Sequence, residues 1–236
     1  MTKQILVIGA SSTIGVCLIP RLLALGYDVI AQYNTNKTEL HHMKLIHPSQ
    51  MKIIQANFTD ETSTKNFVST IKDRGIFHSV VHLPSPPISI KPINRIMWSE
   101  FEAHLIIQLR SLQQVLNITL KGMKKNNDGR VISVSSEAIA TTPTPKGFGA
   151  YAVAKAALNQ YLKCLQAEVQ SHNITVCQII PGMFKSPLLA NIPNYVVEKT
   201  ISDATDTNST SRQEKISETI ISFIEQNNQT ETTIFI

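Results

Sequence analysis

Cysteine is scarce in this 236-residue chain: there are three, Cys17, Cys164 and Cys177, each isolated within an apolar segment. So wide a spacing supplies neither a disulfide framework nor a zinc site, and a reducing cytoplasm is the expected setting. Long apolar runs are lacking too. None reaches the ~18 residues that a bilayer span requires, and the first is broken by Gly9-Ala10-Ser11-Ser12-Thr13, too early for the apolar region of a signal peptide. A membrane is therefore not an expected partner. The formal charge of +5 is spread along the chain, and its densest basic stretch, Lys121-Gly122-Met123-Lys124-Lys125, reads as the solvated end of a helix rather than a nucleic-acid patch. Internal repeats and linker-like composition shifts are absent, so residues 1–236 are read as one domain. With 42% hydrophobic and 17% charged residues, wholesale disorder is excluded.

What is present alternates between two periodicities. Ile5-Leu6-Val7-Ile8 is a wholly apolar run suited to a central parallel strand covered on both faces, and a helical pattern from Val16 to Leu25 follows it, stopped at Gly26. Further strands are expected at Asp28–Tyr33, Met51–Asn57, Ser79–Leu83, Arg130–Ser135, Ile174–Ile180 and Thr232–Ile236. Helices are expected at Thr38–His47, Thr59–Lys72, Asn94–Asn126, Tyr151–His172 and Arg212–Glu225. The long one carries Phe101, Leu105, Leu109, Leu112, Val115, Leu116, Leu120 and Met123 as its apolar stripe, and Asp128-Gly129 is expected to turn it into the next strand. Pro84-Ser85-Pro86-Pro87 must take the chain out of the sheet after the fourth strand. His41, His42 and His47 are expected in solvent, with no metal. The polar stretch Ser202–Ser211 reads as a mobile loop within a substrate-covering segment at about 183–211. Alternating β and α elements predict an α/β fold: a doubly wound parallel sheet of about seven strands with helices on both faces.

The turn between the first strand and the first helix, Gly9-Ala10-Ser11-Ser12-Thr13-Ile14-Gly15, has the character of a phosphate site. Glycine lets the backbone approach a pyrophosphate, and the helix start points amides and positive dipole at it. The end of the second strand decides which dinucleotide fits. A carboxylate there would hold ribose hydroxyls and repel a 2′-phosphate. Instead Asn34-Thr35-Asn36-Lys37 offers amides, a hydroxyl and a cation, which favours NADP(H) over NAD(H).

Tyr151 and Lys155 lie four positions apart and so share one helix face, just downstream of Ser135-Ser136. An ammonium beside a phenol favours its ionised form and tunes it for proton transfer. If Ser136 bonds the same substrate oxygen, the three groups hold a carbonyl, supply its proton and leave its carbon open to hydride.

The ordered set Gly9-x-x-x-x-x-Gly15, Val131-Ile132-Ser133-Val134-Ser135-Ser136, Tyr151-x-x-x-Lys155 and Pro181-Gly182 resembles the short-chain dehydrogenase/reductase family, most nearly its 3-oxoacyl-[acyl-carrier-protein] reductase branch. The resemblance implies a Rossmann fold, with Tyr151 as general acid, Ser136 orienting the carbonyl, and Lys155 binding the nicotinamide ribose and lowering the tyrosine pKa. It also implies cofactor contacts from Gly9, Ser11, Ser12, Thr13, Ile14, Gly15, Asn34, Thr35, Lys37, Asn57, Phe58, Leu83, Pro84, Tyr151, Lys155, Pro181, Gly182 and Met183. Four departures accompany it. Thr13 stands where the family has a further glycine, Asn57 where it has an acid, and His82-Leu83-Pro84-Ser85 where it has Asn-Asn-Ala-Gly. Gln108 takes the place of its fourth catalytic residue, an asparagine, and could order a relay water. The implied activity is NADPH-dependent reduction of a small ketone, free or acyl-carrier-bound, by a homodimer or homotetramer. Two other readings keep the fold. The departures suit a nucleotide-binding sensor or scaffold without catalysis, and an epimerase or dehydratase would form product without net NADPH consumption.

Overall fold

A computed structural model describes residues 3–141, 144–195, 197–198, 211–226 and 233–236. Seven strands form one parallel sheet: β1 (Gln4–Ile8), β2 (Asp28–Tyr33), β3 (Met51–Gln55), β4 (Ser79–His82), β5 (Gly129–Val134), β6 (Ile174–Ile180) and β7 (Thr233–Phe235), in the order β3-β2-β1-β4-β5-β6-β7. The order reverses between β1 and β4, whose carboxyl ends lie side by side with Val7 beside Val81 and Ile8 beside His82. In such sheets that reversal opens the crevice where ligands bind.

The apolar strand runs serve two cores. Ile5 and Val7 pack toward helices α1 (Thr13–Ala24), α2 (Thr38–Ile46) and α7 (Arg212–Glu225), whereas Leu6 and Ile8 pack toward α3 (Glu61–Lys72), the long helix and α6 (Gly149–Val169). Local chemistry sets the helix ends. Asp60 caps α3 by accepting from the Ser63 amide, and Ser211 with Glu214 makes a capping box that starts α7 at the expected residue. His41 and His42 are exposed as expected, and no group of three metal-ligating side chains lies together among the described residues. No described helix is long and apolar enough to cross a membrane.

Several boundaries differ from expectation. β3 stops at Gln55, because the Asn57 amide turns away to the Ser63 hydroxyl at 2.8 Å. α6 ends at Val169 rather than His172. The left-handed residue after the long helix is Asn127 (φ 49°), and Gly129 already belongs to β5. The long helix begins at Trp98, since Ile93–Arg95 form a separate 3-10 turn, and it is divided into α4 (Trp98–Leu105) and α5 (Ser111–Asn126) by a π turn, Ile106–Arg110. One extra residue in a turn slips the helical phase. His104, Gln108 and Ser111 consequently face inward, while Phe101, Leu105 and Leu109, expected in the apolar stripe, are only half-buried. The loop expected at Ser202–Ser211 lies, except for Ser211, outside the described residues.

Candidate active site

β1 delivers Gly9 at φ +73°, pressed against the fourth-strand exit: a Cβ at Gly9 would stand 3.0 Å from the Pro84 nitrogen. A Cβ on Gly15 would stand 2.3 Å from the Ala10 carbonyl oxygen, so the turn closes on itself with no room for a side chain there. Ser12, in extended conformation, caps α1 by accepting from the Gly15 amide at 3.2 Å. The Ala10 amide donates to the Gln32 carbonyl and the Ser12 amide to the Gly9 carbonyl. The amides of Ser11, Thr13 and Ile14 are left without an acceptor among the described residues, at the positive end of a twelve-residue helix. Three free donors at a glycine-lined helix start fit a pyrophosphate. Thr13 occupies the first helical position without blocking them.

Gln32 escaped the sequence reading. Buried in β2, it accepts from the Gly9 amide at 2.9 Å and donates to the Ala56 carbonyl at 2.8 Å, tying the cradle to the end of β3. The detectable signal was an amide inside an otherwise apolar central strand. Asn34, Thr35 and Lys37 are exposed beyond β2, with no carboxylate among them. Asn57 is committed locally, its Oδ1 accepting from both the Thr59 amide (3.1 Å) and hydroxyl (2.8 Å). Its NH2 is the side-chain group left for a base. Phe58 is buried edge-on against Phe67, with ring centroids 5.7 Å apart, and its carbonyl accepts from Arg110 at 3.2 Å. Leu83 is buried beside half-buried Pro84.

At the carboxyl end of β5 the two serines separate. The Ser135 amide completes the ladder to Ile179 and its hydroxyl is buried, whereas Ser136 leaves the sheet, accepts from the Ala138 amide at 3.2 Å and acts on the Tyr151 phenol. Tyr151 and Lys155 are both buried one turn apart on α6. The Lys155 Nζ donates to the Val134 carbonyl at 2.7 Å and sits 5.8 Å from the Tyr151 ring centroid. Burial pushes the Tyr151 phenol up to about 12, against a smaller downward pull from Ser136, and holds Lys155 down at about 7. The expected lowering of the phenol by the ammonium is not found: desolvation dominates the phenol, and Lys155 is bonded to a carbonyl instead. Beyond β6, Pro181 is buried, the Gly182 amide donates to the Ile236 carbonyl at 2.9 Å, and Arg212 at the start of α7 donates to the Met183 carbonyl at 3.0 Å. A Cβ on Gly182 would meet that guanidinium at 2.4 Å, so this loop and α7 are packed tightly together. All four elements converge on the crevice between β1 and β4.

Residues 3–195 match the family described as short chain dehydrogenase. The chain belongs to that family. It is 29% identical over 211 residues to a fatty acyl-CoA reductase of Acinetobacter baylyi, covering 85% of this chain and 68% of the relative. It is 27% identical over 186 residues to a 3-oxoacyl-[acyl-carrier-protein] reductase of Rickettsia conorii, covering 79% and 74%. The solved structure of a short-chain dehydrogenase/reductase from Mycobacterium ulcerans superposes with a TM-score of 0.85 at 21% identity, over 99% of this chain and 88% of that one. This short-chain dehydrogenase is accordingly an NAD(P)-dependent oxidoreductase with the Rossmann-like fold of its family.

Where short-chain dehydrogenases of the expected pattern carry Asn-Asn-Ala-Gly, this one places a buried His82 and a half-buried Ser85. His82 contacts the Ser111 hydroxyl at 2.8 Å, and Ser85 accepts from the Gln108 amide at 3.2 Å. Burial, with a smaller contribution from the Lys155 charge, holds His82 down at about 3. The unfolded chain takes up a proton at His82 below ~6.5, which the folded state refuses until about 3, so stability is full above pH 7 and falls as the pH drops through that window. At ~1.4 kcal/mol per pH unit, His82 alone is expected to remove about 3 kcal/mol between pH 6.5 and 4. Urea denaturation at the two pH values should show it, and the difference should shrink in His82→Gln. Equal stability at both pH values in the parent protein would refute it.

Proposed function

We propose that this short-chain dehydrogenase reduces a ketone with NADPH, Tyr151 supplying the proton. The observation carrying the proposal is that Tyr151 and Lys155 are buried on one face of α6, with Ser136 close enough to act on the phenol, at the sheet edge that holds the Gly9–Gly15 cradle. NADPH, when bound, supplies the hydride. Ser136 holds the carbonyl oxygen, Tyr151 gives its phenolic proton to the developing alkoxide, and Lys155 holds the nicotinamide ribose. Ser11, Thr13 and Ile14 take the pyrophosphate with their free amides, and Asn34, Thr35 and Lys37 take the 2′-phosphate. An apolar cluster of Ile88, Phe148, Leu189 and Ile192 packs against Tyr151 and suits a 3-oxoacyl or similar small ketone, free or carrier-bound; a 3-oxoacyl carrier substrate is named for the Rickettsia conorii relative and an acyl-CoA for the Acinetobacter baylyi one. The reading includes a homodimer or homotetramer in the cytoplasm. Half-buried Phe101, Leu105 and Leu109 supply the pairing face, and a monomeric mass in light scattering would overturn the assembly.

Calorimetric titration with NADPH and, separately, NADH tests the cofactor. NADPH should bind more tightly, and replacing Asn34 and Lys37 with Ala should weaken it about tenfold, the effect of one lost charge-assisted contact. Equal affinity for both dinucleotides would overturn the preference. Binding of neither would overturn the enzyme reading in favour of a scaffold. Given binding, a ketone screen that follows NADPH absorbance identifies the substrate.

A further inference from the structure

Two of the departures from the family pattern, Gln108 and Ser85, contact each other. The Gln108 Nε2 lies 2.9 Å from His104 Nδ1 and 3.2 Å from the Ser85 Oγ. An amide nitrogen only donates, so Nδ1 is the acceptor and His104 carries its proton on Nε2. Ser85 in turn donates to the Pro86 carbonyl, so its oxygen is free to accept. Both protons of the Gln108 amide are therefore engaged, and the side chain is locked. Its Oε1, fully buried, has no partner among the described residues.

A second chain of bonds holds the backbone that carries Gln108. The Ser111 hydroxyl donates to the Ile107 carbonyl at 2.6 Å, inside the π turn, and has no second proton. The contact to His82 at 2.8 Å must then be donated by the His82 Nε2–H. A π turn is strained relative to α-helix, and here an imidazole on β4 braces it from outside. Both histidines belong to the same site: the His104 ring lies edge-on to Tyr151 with centroids 5.9 Å apart, and the π turn packs against α6.

We propose that His104 and His82 are positioning residues, the first fixing the Gln108 amide and the second bracing the π turn, so that the Gln108 carbonyl stands as a free hydrogen-bond acceptor beside Tyr151 and Lys155. His82, Ser85, His104 and Gln108 then form one matched set. An acceptor held there orders a proton-bearing group for the transfer step without contributing to substrate affinity. The role in turnover rests on the ketone-reductase reading; the clamp itself does not.

Two substitutions at His104 separate its functions. His104→Phe keeps a ring against Tyr151 but removes the acceptor, whereas His104→Asn presents an oxygen close to the Nδ1 position. His104→Phe should lower kcat at least tenfold with KM and NADPH affinity within twofold, His104→Asn should recover most of the loss, and His104→Phe should add nothing in a Gln108→Ala background. Unchanged kcat in His104→Phe, a loss confined to KM, or equal loss in both variants would overturn the role in turnover. Imidazole ¹⁵N shifts of the unsubstituted protein read the clamp without activity. The Nε2–H tautomer at both His104 and His82 is expected, and Nδ1–H at either overturns it. An enzyme inactive on every ketone but showing both tautomers refutes the proposed reaction and leaves the clamp standing.

Discussion

Tyr151→Phe is expected to lower kcat by about 10³-fold, within the range a positioned general acid supplies, while NADPH affinity stays within a few fold. The phenylalanine ring keeps the packing of the tyrosine, edge-on to His104 and Phe148 and inside the cluster with Ile88 and Leu189. What disappears is one hydroxyl, on which Ser136 acts. The amides proposed to hold the pyrophosphate lie on the β1–α1 turn, not on α6. Burial raises the phenol to about 12, so Tyr151 is fully in its acid form at neutral pH, as proton donation to an alkoxide requires. The measurement is steady-state turnover with calorimetric NADPH binding and thermal denaturation on the same preparation. Turnover retained within tenfold would remove Tyr151 from the acid role. Binding lost together with turnover would mean that the hydroxyl serves the cofactor rather than the carbonyl.

Gly15→Ala is expected to have the largest effect on the fold and the cofactor site together. Its new methyl would lie 2.3 Å from the Ala10 oxygen, 2.7 Å from the Ala10 carbonyl carbon and 2.8 Å from its Cα. These are backbone atoms that no rotamer change can move. Ala10 is itself pinned, its amide bonded to the Gln32 carbonyl at 2.8 Å, so relief requires the turn to open away from β2 or α1 to shift along its axis. Either displacement pulls the free amides of Ser11, Thr13 and Ile14 out of register with a bound pyrophosphate. Overpacking of this kind is expected to destabilise by about 2–3 kcal/mol. Loss of three amide contacts is expected to weaken NADPH binding by at least about 100-fold, at ~1 kcal/mol each. Denaturant melts and calorimetry report the two effects separately. Binding within threefold of the parent protein would show that the turn is not the pyrophosphate site.

Features that depend on near neighbours in the chain were legible without the structure. Ile5–Ile8 could only be a doubly covered strand, because a run with no polar residue cannot leave either face in water. Arg212–Glu225 could be placed to the residue because Ser211 and Glu214 satisfy its first amides locally. Tyr151 and Lys155 share a face by helical spacing alone, and the lack of a carboxylate after β2 is a matter of composition. Tertiary structure decided whatever depended on a distant partner. Gln32 clamps Gly9, 23 residues away, and Ala56, 24 residues away; His82 braces Ser111, 29 residues away. Arg130, expected only as a strand residue, is fully buried, donating to the Gly129 carbonyl and, 96 residues away, to that of Gln226.

The long helix shows the division within one element. Its existence and its end near Asn126 followed from periodicity, but its inward face did not: the Ile107 carbonyl of the π turn accepts from Ser111, which bonds His82 on β4, and Gln108 donates to Ser85 on the exit loop. The balance at Tyr151 has the same origin. Spacing brought a lysine near a phenol, and only the packing of β5, α6 and the π turn around them settled that desolvation, not the lysine, dominates the phenol.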